Sequence, residues 1–142
     1  MITKYSTGKK ITLILMALLL SSILSANDIA DRAKLKSTMR DILKSMELIQ
    51  RGGFYANPQQ MKSGVNSLKK NLSLLDAKHA KTYLPHDEKY AYKFAVKREK
   101  MITMYADDIV ESLKTNNMDD ALEDYAQILK QCSSCHLRIR KN

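Results

Sequence analysis

Both cysteines of the chain lie in one five-residue stretch, Cys132-Ser133-Ser134-Cys135-His136, near the C-terminus. Two thiols three residues apart with an imidazole directly after them form the attachment sequence of a c-type haem. The thiols add across the vinyl groups of one porphyrin edge, and the adjacent His is delivered to the iron as an axial ligand. Three other chemistries use the same residue types. A disulfide or dithiol redox pair is expected beside a βαβ pattern, and this chain shows no strand pattern. A zinc site needs four ligands, whereas Cys132, Cys135 and His136 supply three, with His79 and His86 the other imidazoles. A structural cysteine pair leaves His136 without a role.

The elements that must position this motif are helical. Four Gly and two Pro among 142 residues, with 44% hydrophobic and 27% charged residues, leave too few turn formers for a sandwich or barrel and argue against disorder. Leu35, Met39, Ile42, Met46 and Ile49 recur at alternating spacings of four and three, predicting a first helix over about 28–51 that ends at Gly52-Gly53 in positive-φ conformations. Asn57-Pro58 reads as an N-cap with proline at the first helical position. The second helix follows with the seam Met61, Val65, Leu68, Leu72 and Leu75. Residues 76–86 make one long connection. A third helix over about Asp87–Lys114 would bury Ala91, Phe94, Met101, Tyr105, Ile109 and Leu113, with Arg98 on the same face. Asn117, with Asp120 in the capping-box position, would start a fourth helix whose seam is Met118, Leu122, Tyr125, Leu129, Cys132, His136 and Ile139.

Four helices of this length with mostly short connections predict an all-α, antiparallel up-down-up-down four-helix bundle. Cys132 and His136 continue the fourth seam, which would turn a covalent haem into the bundle core.

Residues 1–26 read as a signal peptide. Lys4, Lys9 and Lys10 precede an apolar run from Ile11 and a small-residue stretch ending at Ala26. The apolar run is too short to span a bilayer, so no stable membrane insertion is expected after cleavage. Removing the leader takes three Lys and no acids from a chain of net charge +9, leaving a 27–142 domain at +6. Acids are interleaved with the Lys and Arg, which argues against nucleic acid as a partner and for a field that steers an acidic protein or offsets acidic groups on a cofactor.

A four-helix chain with Cys-x-x-Cys-His in the last turns of its final helix resembles the class II c-type cytochromes, cytochrome c-prime and its low-spin relatives. The resemblance covers the whole mature chain. Class I cytochromes c carry the motif near the N-terminus instead. The family commonly has a basic residue four positions after the His, matched by Arg140, and often an aromatic just before it, where this chain has Ile139. Around Thr38-Met39-Arg40-Asp41 the sequence is similar to low-spin members, whose Met supplies the sixth iron ligand, a role that would fall to Met39. Met39 and His136, counted in from the predicted helix ends, differ by roughly 9 Å along the axis at 1.5 Å per residue. The N-terminal lean of helical side chains can absorb that offset. The resemblance also implies a homodimer through the first two helices.

The expectation is therefore a periplasmic monohaem cytochrome c, not an enzyme, that passes single electrons to a redox partner protein. One covalent haem c would be held by Cys132 and Cys135, ligated by His136 and Met39, with Arg98, Arg138 and Arg140 paired to its propionates. A rival within the family is a five-coordinate haem protein that binds NO or CO. A rival of another class is a haem-free interaction or thiol-redox protein of the envelope.

Overall fold

A computed structural model describes the backbone of residues 7–75 and 91–139 and the side chains of residues 30–75 and 92–138. Every regular element among the described residues is an α-helix: α1 (Thr7–Phe54), α2 (Pro58–Leu72), α3 (Ala91–Lys114) and α4 (Met118–Ile139). Residues 1–36 and 37–142 form two separate units, and the packing below is that of 37–142. Among the described residues no helix is long and apolar enough to cross a membrane. The side chains of the expected leader, the connection 76–86 with His79 and His86, the Asp87 helix start, and the side chains of Ala91, Ile139 and Arg140 lie outside the described residues.

The two short turns share one construction. α1 continues to Phe54, three residues past the expected end, and Gly52 and Gly53 keep helical φ. The positive φ falls instead on Ala56, at 49°. Asn57 N–H donates to the Gly52 carbonyl at 2.7 Å and Ala56 N–H to the Gly53 carbonyl at 3.1 Å, the paired bonds of a Schellman motif. Asn116, at φ 54°, and Asn117 repeat this after α3, with Asn117 N–H bonded to the Ser112 carbonyl at 2.9 Å. In each turn the next Asn then caps the following helix: Asn57 Oδ1 accepts from Gln60 N–H at 3.0 Å, and Asn117 Oδ1 from Asp120 N–H at 3.2 Å. Left-handed backbone costs an L-residue with a Cβ roughly 1–2 kcal/mol. Ala56→Gly is therefore expected to raise stability by about 1 kcal/mol, read as a higher midpoint in urea unfolding.

The glycines serve packing instead of turning the chain. A Cβ on Gly52 would collide with the backbone of Met61, and one on Gly53 would lie 2.5 Å from Leu122 Cδ2. Gly64 lets α2 close on α1, since its Cβ would stand 2.7 Å from both the backbone N and Cγ1 of Ile49. Around these approaches Ile42, Met46 and Ile49 of α1 and Met61, Val65, Leu68 and Leu72 of α2 are buried, as their periodicity predicts. Met39 and Leu75 are half-buried against the same core. Ser45 Oγ donates to the Asp41 carbonyl at 2.8 Å and accepts from Asn71 Nδ2 at 3.2 Å, so this buried hydroxyl is satisfied.

On α3 and α4 the buried stripes are rotated from the expected ones. α3 buries Ile102, Ala106 and Ile109, while Phe94, Met101, Tyr105 and Leu113 are only half-buried. α4 buries Ala121, Tyr125, Ile128 and Gln131, and leaves Leu129 42% exposed. The cause is close helix packing on small residues, Ala106 and Ala121, together with a polar residue, Gln131, buried because it has a partner. Counting large apolar residues alone passes over all three.

Candidate functional site

The last turns of α4 carry Cys132, Cys135 and His136. Cys132 and Cys135 are one helical turn apart, both thiols are free, and both are half-buried on the side facing the core, where Cys132 packs against the buried cluster. Burial, and for Cys132 the neighbouring Cys135, pushes its thiol above the usual range, against a small lowering by backbone hydrogen bonding. Burial also raises Cys135, although the nearby Arg98 guanidinium pulls it partly back. Tyr125, two turns earlier, is likewise raised by burial and by the proximity of Cys132. Both cysteines are therefore neutral thiols at neutral pH, unlike the low-pKa thiolate of a dithiol oxidoreductase.

His136 is a correction to the sequence expectation. It does not continue the buried stripe. Its side chain is exposed, because the stripe runs through Gln131, Cys132 and Cys135 and turns position 136 outward. Among the described residues no three His, Cys, Asp or Glu side chains converge on a point that could hold a metal ion, so Cys132, Cys135 and His136 do not form a preassembled zinc corner.

Beside the thiols stands a cationic cluster from two helices. Arg98 of α3 donates from Nη1 to the Oε1 of Gln131, which is 3% exposed. The Arg98 and Arg138 guanidinium groups each lie 4.7 Å from the centroid of the Phe94 ring, within cation–π range. Arg98 Nε is buried and has no hydrogen-bond partner. Among the described residues no carboxylate pairs with Arg98. A buried guanidinium edge without an acceptor is an unfavourable arrangement that an anionic group would relieve.

The structure thus brings together Cys132, Cys135, Arg98 and Arg138, four of the residues singled out in the sequence. Phe94 and Gln131 complete the cluster. Phe94 was legible as an apolar residue one turn before Arg98, whereas nothing in the sequence marks Gln131 beyond its place one residue before Cys132. Arg140 lies outside the described residues. Met39 lies on α1, half-buried on the core.

The donor set fits a flat, largely apolar ring system bearing carboxylates. Two neutral thiols on one helix face can bond one edge of such a ring, and Arg98, whose buried Nε has no acceptor, can bind one of its acids. No known protein family, curated protein or solved structure matches this chain.

Proposed function

We propose that the chain is a periplasmic monohaem c-type cytochrome that carries single electrons and has no catalytic activity of its own. The observation that carries this reading is the pairing of the Cys-x-x-Cys-His thiols on one face of α4 with the buried, unpartnered Nε of Arg98 next to Cys135. Bound haem supplies the one-electron chemistry, its iron alternating between ferric and ferrous. Cys132 and Cys135 hold the group as thioethers, each S–H adding across a vinyl C=C, so that no oxidant is consumed. His136 follows Cys135 directly and would supply an imidazole to the iron of a group held by both thiols. Arg98, Arg138 and Arg140 bind the propionates with charge-assisted hydrogen bonds.

We take the helices to run up-down-up-down, with the group in the bundle core. Three contacts support this arrangement: Gly64 against Ile49, Lys69 bonded to Asp107, and Arg98 bonded to Gln131. They put consecutive helices side by side, and the three-residue turns 55–57 and 115–117 reverse the chain between α1 and α2 and between α3 and α4. The same register supports Met39 as the second axial ligand. Leu122 packs on Gly53. Met39 is fourteen residues before Gly53 and His136 fourteen after Leu122, so in antiparallel helices both stand about 21 Å from that contact, at one level. The 9 Å offset counted from helix ends disappears. Exposed Leu43, Phe54 and Tyr55 on α1 and its following turn support a homodimer through α1 and α2.

One optical spectrum of the oxidised and reduced protein tests the reading. A six-coordinate, low-spin haem with a thioether-to-ferric charge-transfer band near the red edge of the visible range is expected. A high-spin spectrum with ready CO binding would instead favour the NO- or CO-binding rival, and a protein without haem absorption would favour the haem-free one.

A further inference from the structure

α3 segregates its charge along its length. Residues 91–100 hold Lys93, Lys97, Arg98 and Lys100 against Glu99 alone, whereas residues 101–114 hold Asp107, Asp108 and Glu111 against Lys114. Lys114 pairs with Glu111 at 2.7 Å. The acidic half sits with the start of α4, because Asp108, after burial, helps push the Asp124 carboxyl above its ordinary range, as do Glu123 and Asp120. The basic half sits with the thiol end of α4 through Arg98 and Gln131. α3 is therefore polarised along its length, with its positive half beside the thiol end of α4.

From that positive half to Met104 runs a shallow groove of about 440 Å³ whose described lining residues include Tyr92, Lys93, Lys97, Lys100, Met101 and Met104, with no acidic residue among them. Met104 is 48% and Tyr92 38% exposed, large for apolar surface on one helix. Lys93, Lys97 and Lys100 are exposed and, among the described residues, join no ion pair. An apolar floor with a cationic rim has the anatomy of a transient protein interface, where the floor supplies contact energy and the rim supplies orientation and on-rate.

We propose that this α3 groove is the docking surface for an acidic protein that exchanges electrons with the chain, one presenting clustered Asp and Glu around a small apolar knob. Charge complementarity selects this occupant: a second copy of the chain docked through the same groove would set Lys93, Lys97 and Lys100 against the same lysines. The proposal rests on the electron-carrier reading for what the partner does, but not for the docking itself.

The test uses the full protein, a synthetic peptide in which Glu residues flank a single Leu, and phosphatidylglycerol vesicles. Backbone amide shifts on adding the peptide at low salt are expected to cluster within residues 92–104 and to fade with added salt. The triple variant Lys93→Gln, Lys97→Gln, Lys100→Gln should weaken the peptide at least tenfold with unchanged circular dichroism. Met104→Ser should weaken it while leaving the salt dependence intact. Shifts elsewhere, a triple variant that binds as well as the parent, vesicles bound in place of the peptide, or loss of a self-associated species in the triple variant would each overturn the proposal. Haem staining of the same sample reports separately on the carrier reading.

Discussion

Met39→Ala is expected to convert a six-coordinate, low-spin protein into a high-spin one that binds CO. With Met39 as the proposed sixth ligand, a methyl group could not reach the iron and that position would be left open. The charge-transfer band should vanish, and the reduction potential should fall because a thioether favours ferrous iron. The controls are Met46→Ala and Met101→Ala. Met46 is buried in the core and Met101 half-buried on α3, and their truncation should cost packing stability, up to about 2–5 kcal/mol for Met46, without a change of spin state. A wild-type protein that is already high-spin and binds CO would make Met39 core filler. A low-spin Met39→Ala protein would move the sixth ligand elsewhere, with His79 and His86 the first candidates.

Gly64→Ala is expected to lower stability, against the usual sign for a helical glycine. At an ordinary exposed helix position this change gains about 0.5–1 kcal/mol by restricting the unfolded chain. At Gly64 the new Cβ would stand 2.7 Å from the Ile49 backbone N and 3.0 Å from the Ser45 carbonyl oxygen. Those neighbours belong to a helix backbone and cannot rotate away as a flexible side-chain tip can. The two helices must separate, loosening Ile49, Met61 and Leu68 together. Overpacking of this kind costs about 1–3 kcal/mol, so the usual sign is reversed. A thermal melt should fall by several degrees at about 4–8 °C per kcal/mol for a domain of this size. Asn66→Ala, at an exposed position of the same helix, should be neutral or slightly stabilising.

These glycines mark where the sequence was hard to read. The cores of α1 and α2 were legible because they are built from large apolar residues at regular spacing, although α1 begins at Thr7 and not near residue 28, and the caps were legible because Asn57-Pro58 and Asn117 have few other uses. The double glycine after Arg51 looked like a helix end. It is instead a place where α2 and α4 press on α1, information that resides in the neighbours and not in local sequence. The stripes of α3 and α4 were misplaced for a related reason. Ala106 and Ala121 are core residues because helices approach closely there, and Gln131 is buried because Arg98, far away in sequence, bonds it. The same rotation turns His136 outward while keeping both thiols inward. Of the site, the Cys-x-x-Cys-His motif was visible at once because its chemistry is local. The cationic cluster was only partly visible: Arg98 fell on the right face, but its partner and its shared contact with Arg138 on Phe94 emerge only when α3 and α4 are side by side.

The central claim is that Cys132 and Cys135 carry a haem, and the intact mass of the chain produced together with a haem-attachment system tests it most directly. The expected mass is that of the polypeptide, less any cleaved leader, plus one haem that survives denaturation, with the addition lost in a Cys132→Ser, Cys135→Ser double variant. A mass equal to that of the bare polypeptide from the same cells would contradict the account.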